Sequence, residues 1–357
     1  MSTKRINALR AGIAAANLDG YIVTDMKQIR YLTGFSGSAG ILVIDTKRAD
    51  FFTDSRYTIQ ARKEVKGARV NSIKSSALTC LKDFPKLNRR NFRYGFCGEA
   101  LTVTGSKHLQ STVPDSLLIP ADDLVAELGW VKEPEELVSI KKAVEISDTA
   151  FERILNLVTP GVRERELAAE LEYQMTMLGS EGPAFESIVA SGYRSAMPHG
   201  VASDKKVRKG DFVTFDFGAL VDGYCSDITR TVVVGKADAK QKKIYNIVLK
   251  AHLAGIRKIK PGVTGVAVDA ACRNLIAKAG YGKYFGHGTG HGISLEVHSG
   301  PRLSPLSDNK LKPNNVVTVE PGIYITGWGG VRIEDDVLVT RTGAKPLNRA
   351  EKKLLEL

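Results

Sequence analysis

A chain of 357 residues exceeds what one small core fills, so two domains are expected; its 43% apolar and 25% charged content argues against a disordered or fibrous protein. The net charge of +12 raises the question of nucleic acid, but the basic excess is spread through both halves, with no basic tail and no aromatic-interleaved basic motif, and reads as a solvated surface. Cys80, Cys97, Cys225 and Cys272 lack CxxC spacing, which points to neither a zinc ribbon nor a disulfide framework and suits a reducing cytosol.

The first 20 residues carry early basic groups but no sustained apolar core. Ile6, Leu9, Ile13 and Leu18 instead mark one face of a helix. No later run approaches the roughly 20 apolar residues of a membrane span, so no membrane partner is expected and the location reads as cytoplasmic. Strands are expected at 20–25, ending in Asp25, and again within 32–45, where a Gly/Ser-rich loop feeds an apolar run. Residues 49–65 read as strand, turn and helix, and further strands are expected at 69–73, 93–99 and 116–122. This rhythm predicts a small α/β domain over residues 1–125. Its GFSGSAG loop has neither dinucleotide-fingerprint spacing nor the Gly-Lys-Ser/Thr of a P-loop.

The pattern changes at Lys132–Thr159, an amphipathic helix with acidic residues in its first turn that Pro160-Gly161 stops. The boundary is placed just before it, near residue 126, leaving 126–357 as the second domain. A helix at 164–180 and the loop 193–204 lead into DFVTFDFGALVDGYCSDITRTVVV (211–234), two strands joined at Asp222-Gly223. That dipeptide suits a two-residue type I′ turn, which pairs residues whose numbers sum to 445. Asp216 then faces Thr229, Asp227 faces Gly218, and the two carboxylates share a face as diagonal neighbours with Gly218 leaving space between them. Two bare carboxylates at such range repel unless a cation joins them. The alternative is a pair of solvated Asp on an edge hairpin. Cys225, by alternation on the face of Asp227, reads as a packing thiol. Helices at 240–258 and near 264–279 follow.

Five of the six histidines lie in the second half, among them His287, His291 and His298 around a Gly-rich segment. Glu320 ends a β-branched run before Pro321-Gly322, and Glu334 lies in IEDD past a Gly-Gly turn. Each alone reads as a structural or solvated residue. Asp216, Asp227, His291, Glu320 and Glu334, in that order and context, resemble the dinuclear metal centre of the M24 metallopeptidases, the pita-bread enzymes. MPHGVASD, DFGALVDGYCSDITRT, FGHGTGHGI, VEPGIY and VRIED are similar to the proline-specific branch, which comprises prolidase and aminopeptidase P. YLTGFSGSAG and FFTDSRYTIQA are similar to its creatinase-type N-terminal domain.

The resemblance implies a creatinase-like α/β domain followed by a pseudo-symmetric α+β pita-bread domain, and a likeness that runs along essentially the whole chain. It implies Asp227 and Glu334 as bridges between two divalent ions, Asp216 completing one ion and His291 with Glu320 the other. Mn²⁺ or Co²⁺ is the activator it implies first, Zn²⁺ second. Four carboxylates and one imidazole make a hard, oxygen-rich set that agrees. It further implies His199 and His298 as groups contacting substrate and the developing alkoxide, Glu320 as proton shuttle, and hydrolysis of the bond before proline. Arg332, with Thr229 also behind the ligands, is expected to orient a ligand carboxylate, a surface arginine being the alternative; His287 is expected to hold the Gly-rich loop. Arg302 aligns with an arginine that binds the dipeptide carboxylate in some prolidases, which favours Xaa-Pro dipeptides over longer Xaa-Pro peptides, the aminopeptidase P substrates. His298-Ser299 departs from the His-Glu common in relatives. A homodimer follows from the same resemblance. Creatinase, which works without metal, and a non-catalytic protein- or RNA-binding relative are the remaining readings, and the full ligand set disfavours both.

Overall fold

Short runs of β-branched and aromatic residues between polar turns build the N-terminal sheet. The computed structural model describes residues 2–74, 76–121 and 124–357, and divides into the units Met1–Gly129 and Trp130–Leu357. In the first unit six strands form one mixed sheet in the order 69–73, 49–54, 41–45, 20–23, 93–96, 117–120. The strand 20–23 runs parallel to 93–96 and antiparallel to 41–45. Ile22, Val43, Phe52, Tyr94 and Leu109 meet in its core, while Ile6, Leu9 and Ile13 form the buried stripe of helix Ser2–Ala15.

Two elements differ from the sequence reading. Asp25 does not end a strand. Its side chain accepts the Gln28 N–H at 2.8 Å and caps helix Met26–Thr33, which Gly34 closes at φ 85°. Helix Val103–Thr112, capped by Thr102, is hidden in the sequence by Gly105 in its first turn and by few apolar positions. Asp122, the last residue of the strand expected at 116–122, lies outside the described residues.

The second unit repeats one theme, a helix pair against a sheet. Helices Pro134–Ile154 and Glu164–Met177 share a core with the three-stranded sheet 228–233, 212–217, 188–191. Helices Ala239–Lys258 and Gly265–Lys278 share another with the five-stranded sheet 299–303, 290–292, 316–319, 335–339, 344–346 and the hairpin 322–325/329–332. The central hairpin keeps the register 445: Asp216 pairs with Thr229, and Tyr224 with Val221. Asp222 and Gly223, at φ 51° and 77°, make its left-handed turn. Gly218 has a different role from the expected one. A Cβ there would run into the Ser226 carbonyl oxygen, so the glycine admits backbone rather than keeping space open between the carboxylates.

Behind this hairpin Arg230 is buried and joins three segments. Its guanidinium donates to the carbonyls of Thr229, Glu334, Ala350 and Glu351 and pairs with Asp335 at 2.8 Å. Burial works against the Asp335 charge, but Arg230, His252 and Lys352 outweigh it and its pKa is lowered. The Glu334 carbonyl is thereby held from behind, while the Glu334 N–H donates to the Thr229 carbonyl that Arg230 also contacts. No helix among the described residues is long and apolar enough to cross a membrane.

Candidate metal centre

Strands from both halves of the second unit deliver acidic groups to one cleft of about 830 Å³. Asp216 comes from strand 212–217 and Asp227 from the step before strand 228–233. His291 is the middle residue of strand 290–292; Glu320 follows 316–319, and Glu334 lies between 329–332 and 335–339. All five line the cleft, together with His199, His287, His298, Arg302 and Arg332. One ligand atom each of Asp227, His291 and Glu334 lies within 4.8 Å of the others. His291 Nε2 stands 3.6 Å from Asp227 Oδ2 and 3.5 Å from Glu320 Oε1.

His291 reaches this position because its flanks are glycine. A Cβ at 290 would meet the Thr318 carbonyl, and one at 292 the Gly300 carbonyl. Its Nδ1 lies 3.1 Å from the Gly292 carbonyl oxygen, so the proton sits on Nδ1 and the bare Nε2 faces the carboxylates. Burial, helped by the His298 charge, pushes its pKa down to about 3, which keeps the ring neutral.

The carboxylates are in the opposite difficulty. Asp227 and Glu334 are 4% and 2% exposed, and Asp227 Oδ1 and Glu334 Oε1 have no hydrogen-bond partner among the described residues. Burial first, then the neighbouring negative charges, raise both pKa values well above the carboxylate range. Burial pushes Glu320 up to about 8, Arg332 opposing and Asp216 adding. Buried oxygens that lack donors while a neutral imidazole nitrogen faces them fit a hard divalent cation. The donor set therefore fits the metal group, and the cluster is a candidate metal site.

Arg332 is buried rather than on the surface. Its Nε donates to Thr229 Oγ1 at 3.0 Å, and Thr229 donates onward to Glu334 Oε2 at 2.6 Å. Its other nitrogens reach Tyr324 Oη at 2.8 Å, the Pro198 carbonyl at 3.2 Å and Asp216 Oδ2. One fork thus orients two candidate ligands. Tyr324, absent from the sequence reading, also meets His287 Nε2 at 2.8 Å. Its signal lies in the hairpin register: Gly322 pairs with Arg332 and Tyr324 with Gly330, so Tyr324 and Arg332 are diagonal neighbours opposite glycines. His287 does contact the Gly-rich loop, its Nδ1 lying 2.7 Å from the Gly288 carbonyl, but it lines the cleft as well. Cys225 is buried outside the cleft lining. The His298 ring centre is 4.5 Å from that of His291, and Arg302 stands exposed at the rim.

Arg332→Lys is expected to weaken divalent-ion affinity about 10- to 100-fold, because one ammonium cannot serve Thr229, Tyr324, Pro198 and Asp216 together. Calorimetric titration with Mn²⁺ measures this; unchanged affinity would show that the fork does not orient the ligands.

The chain belongs to metallopeptidase family M24: that family's model matches residues 138–341. A model of the creatinase/prolidase N-terminal domain matches residues 5–129. Among curated relatives, the Xaa-Pro dipeptidase of Pyrococcus horikoshii is 40% identical over 95% of each chain. Among solved structures, the Xaa-Pro dipeptidase from Bacillus anthracis superposes with a TM-score of 0.96 at 45% identity over the whole of both chains. The X-Pro aminopeptidase from Thermotoga maritima gives 0.87 at 38% identity, covering 96% of this chain and 98% of its own. The fold is a creatinase-like α/β N-terminal domain followed by an α+β pita-bread catalytic domain, as the sequence motifs imply.

Proposed function

We propose that this chain is a dinuclear-metal Xaa-Pro dipeptidase, a prolidase, whose working site lies wholly within the second domain (126–357 in the sequence reading, with 1–125 the N-terminal domain). The observation that carries the reading is the cleft in which two buried carboxylates with unpartnered oxygens face a neutral imidazole nitrogen, under a rim carrying Arg302. Asp216, Asp227, His291, Glu320 and Glu334 would hold two divalent ions, Mn²⁺ or Co²⁺ first and Zn²⁺ second. When bound, such ions supply Lewis acidity and lower the pKa of a bound water towards neutrality.

The side chains account for the rest of the reaction. Arg302 pairs with the free carboxylate of the dipeptide and sets its depth. His199 and His298 donate to the carbonyl oxygen as it becomes an alkoxide. Glu320 takes the proton of the attacking water and delivers it to the proline nitrogen. The oxygen–carbon bond forms, the carbon–nitrogen bond breaks, and a free amino acid and proline leave. Proline's amide nitrogen carries no hydrogen and its ring fixes φ, so recognition rests on the ring and the chain ends. The buried thiols of Cys80 and Cys272 suit the cytoplasmic setting, and the homodimer expected from the resemblance is part of the same reading.

Likeness to the Thermotoga maritima X-Pro aminopeptidase favours a second reading, cleavage of longer Xaa-Pro peptides. Hydrolysis of Ala-Pro and Ala-Pro-Ala, after chelation and then with Mn²⁺ or Co²⁺, separates the two. Metal-dependent cleavage of Ala-Pro is expected; preference for the tripeptide makes the chain an aminopeptidase P. If neither is cut with any metal, the peptidase reading fails. Arg302→Ala is expected to raise KM for Ala-Pro about tenfold, roughly 1.4 kcal/mol, with little change for Ala-Pro-Ala. Equal effects on both would remove the carboxylate role.

A further inference from the structure

We propose that Glu164 is a positioning residue that sets where His199 stands in the cleft, acting through the loop 192–202 rather than by touching substrate. The inference rests on the reading of His199 given above. Glu164 opens helix Glu164–Met177 and is fully buried. A carboxylate in that position loses its hydration and needs several donors in return. It finds them at both ends of a single loop. Oε1 accepts the Ser191 N–H at 2.7 Å and the Ser191 hydroxyl at 2.8 Å, where strand 188–191 ends. Oε2 accepts the Ser203 N–H at 3.1 Å and the Ser203 hydroxyl at 2.6 Å. One carboxylate therefore closes the neck of the loop.

The same group also reaches inside it. Arg194 Nε pairs with Glu164 Oε2 at 2.9 Å, and its NH2 donates to the carbonyl of Val201, two residues past His199. From the opposite side Arg332 donates to the carbonyl of Pro198, the residue before His199. Ser195 Oγ, also in the loop, accepts the Gly330 N–H at 2.8 Å. His199 itself is exposed, and its ring makes no hydrogen bond to the described residues. With no hydrogen bond on the ring, where the imidazole stands depends on the backbone that carries it, and that backbone hangs between Glu164–Arg194 on one side and Arg332 on the other. A displacement of about 1 Å at such a group can cost on the order of a hundredfold in rate.

Glu164→Gln keeps the shape but places an NH₂ where donors now converge. It is expected to lower kcat/KM for Ala-Pro about 10- to 100-fold, with the bound-metal content unchanged. In a His199→Ala background the same substitution is expected to cost less than about twofold, because the group it positions is gone. Ser203→Ala, which removes one tie and spares the ion pair, is expected to show a smaller loss with the same dependence on His199. It serves as the test should the Gln variant not fold. An equal loss in both backgrounds, or no loss in either variant, overturns the proposal. Hydrogen exchange of residues 192–203, read whether or not any peptide is cleaved, is expected to quicken at least tenfold in Glu164→Gln while strand 316–319 stays protected. Unchanged protection of residues 192–203 also overturns it. A His199→Ala enzyme with unaltered kcat/KM, alongside a loosened loop in Glu164→Gln, would instead refute the role given to His199.

Discussion

Glu334→Gln is expected to abolish divalent-ion uptake and lower kcat/KM by about 10³ or more, while raising the melting temperature of the metal-free protein. The two effects have one cause. Glu334 is buried with one oxygen held by Thr229 and the other without a partner, beside Asp227, whose own Oδ1 is also unpartnered. In the absence of a cation, ionising both groups would put desolvated, mutually repelling charge in the site, which is why both pKa values are raised. Glutamine retains an oxygen for the Thr229 hydroxyl and offers its NH₂ towards Asp227, so the lone acceptors gain a donor. It also deletes a candidate ligand of the ions that would activate the water. A gain of about 1 kcal/mol corresponds to a rise of roughly 2–4 °C for a unit of this size. Thermal unfolding in excess chelator and inductively coupled plasma analysis of metal content test the pair of outcomes. A melting temperature that falls, with metal retained, would falsify the assignment of Glu334.

Divalent-ion binding is expected to release protons, and the stability gap between metal-loaded and chelated protein to widen from pH 5 to pH 8. In the metal-free protein burial pushes Glu320 from 4.5 up to about 8, with Asp227 and Glu334 also raised. A carboxyl whose folded pKa is raised binds its proton more tightly folded than unfolded. Its contribution is therefore fully present below the ordinary carboxylate range and is lost as pH climbs through the folded pKa. Chelated protein should lose stability across about pH 4.5 to 8. With a cation holding the carboxylates ionised, that loss disappears, and binding must expel the protons they carried. Scanning calorimetry at both pH values, with EDTA or with excess Mn²⁺, measures the gap. Titration in two buffers of different ionisation enthalpy counts the protons. A gap that does not change with pH would show that these carboxyls are already ionised without metal.

Much of this was readable along the chain because turn chemistry and period-two alternation are local. Asp222-Gly223 requires left-handed backbone, and that requirement alone places Asp216 opposite Thr229. Apolar spacing marks the buried face of helix Ser2–Ala15 in the same way. The five acidic and imidazole groups stood out through their motifs, although no local rule placed Asp227 within reach of His291, 64 residues further on. Local signals also misled: the cap at Asp25 read as a strand end, because a short helix of eight residues carries too few apolar positions to show its period.

What holds the candidate ligands in place is set by contacts far apart in sequence, which no spacing encodes. Gly218 is glycine because the Ser226 carbonyl passes through the place of its Cβ, a close approach visible only once both strands are built. Arg230 ties the Glu334 carbonyl to the C-terminal segment 350–351, and Glu164 closes a loop on residues 27 and 39 positions away. Such groups look like ordinary surface charges in a sequence. They become buried and obligatory partners only when helices and sheets pack, since it is the loss of water that makes each ionised group depend on specific donors.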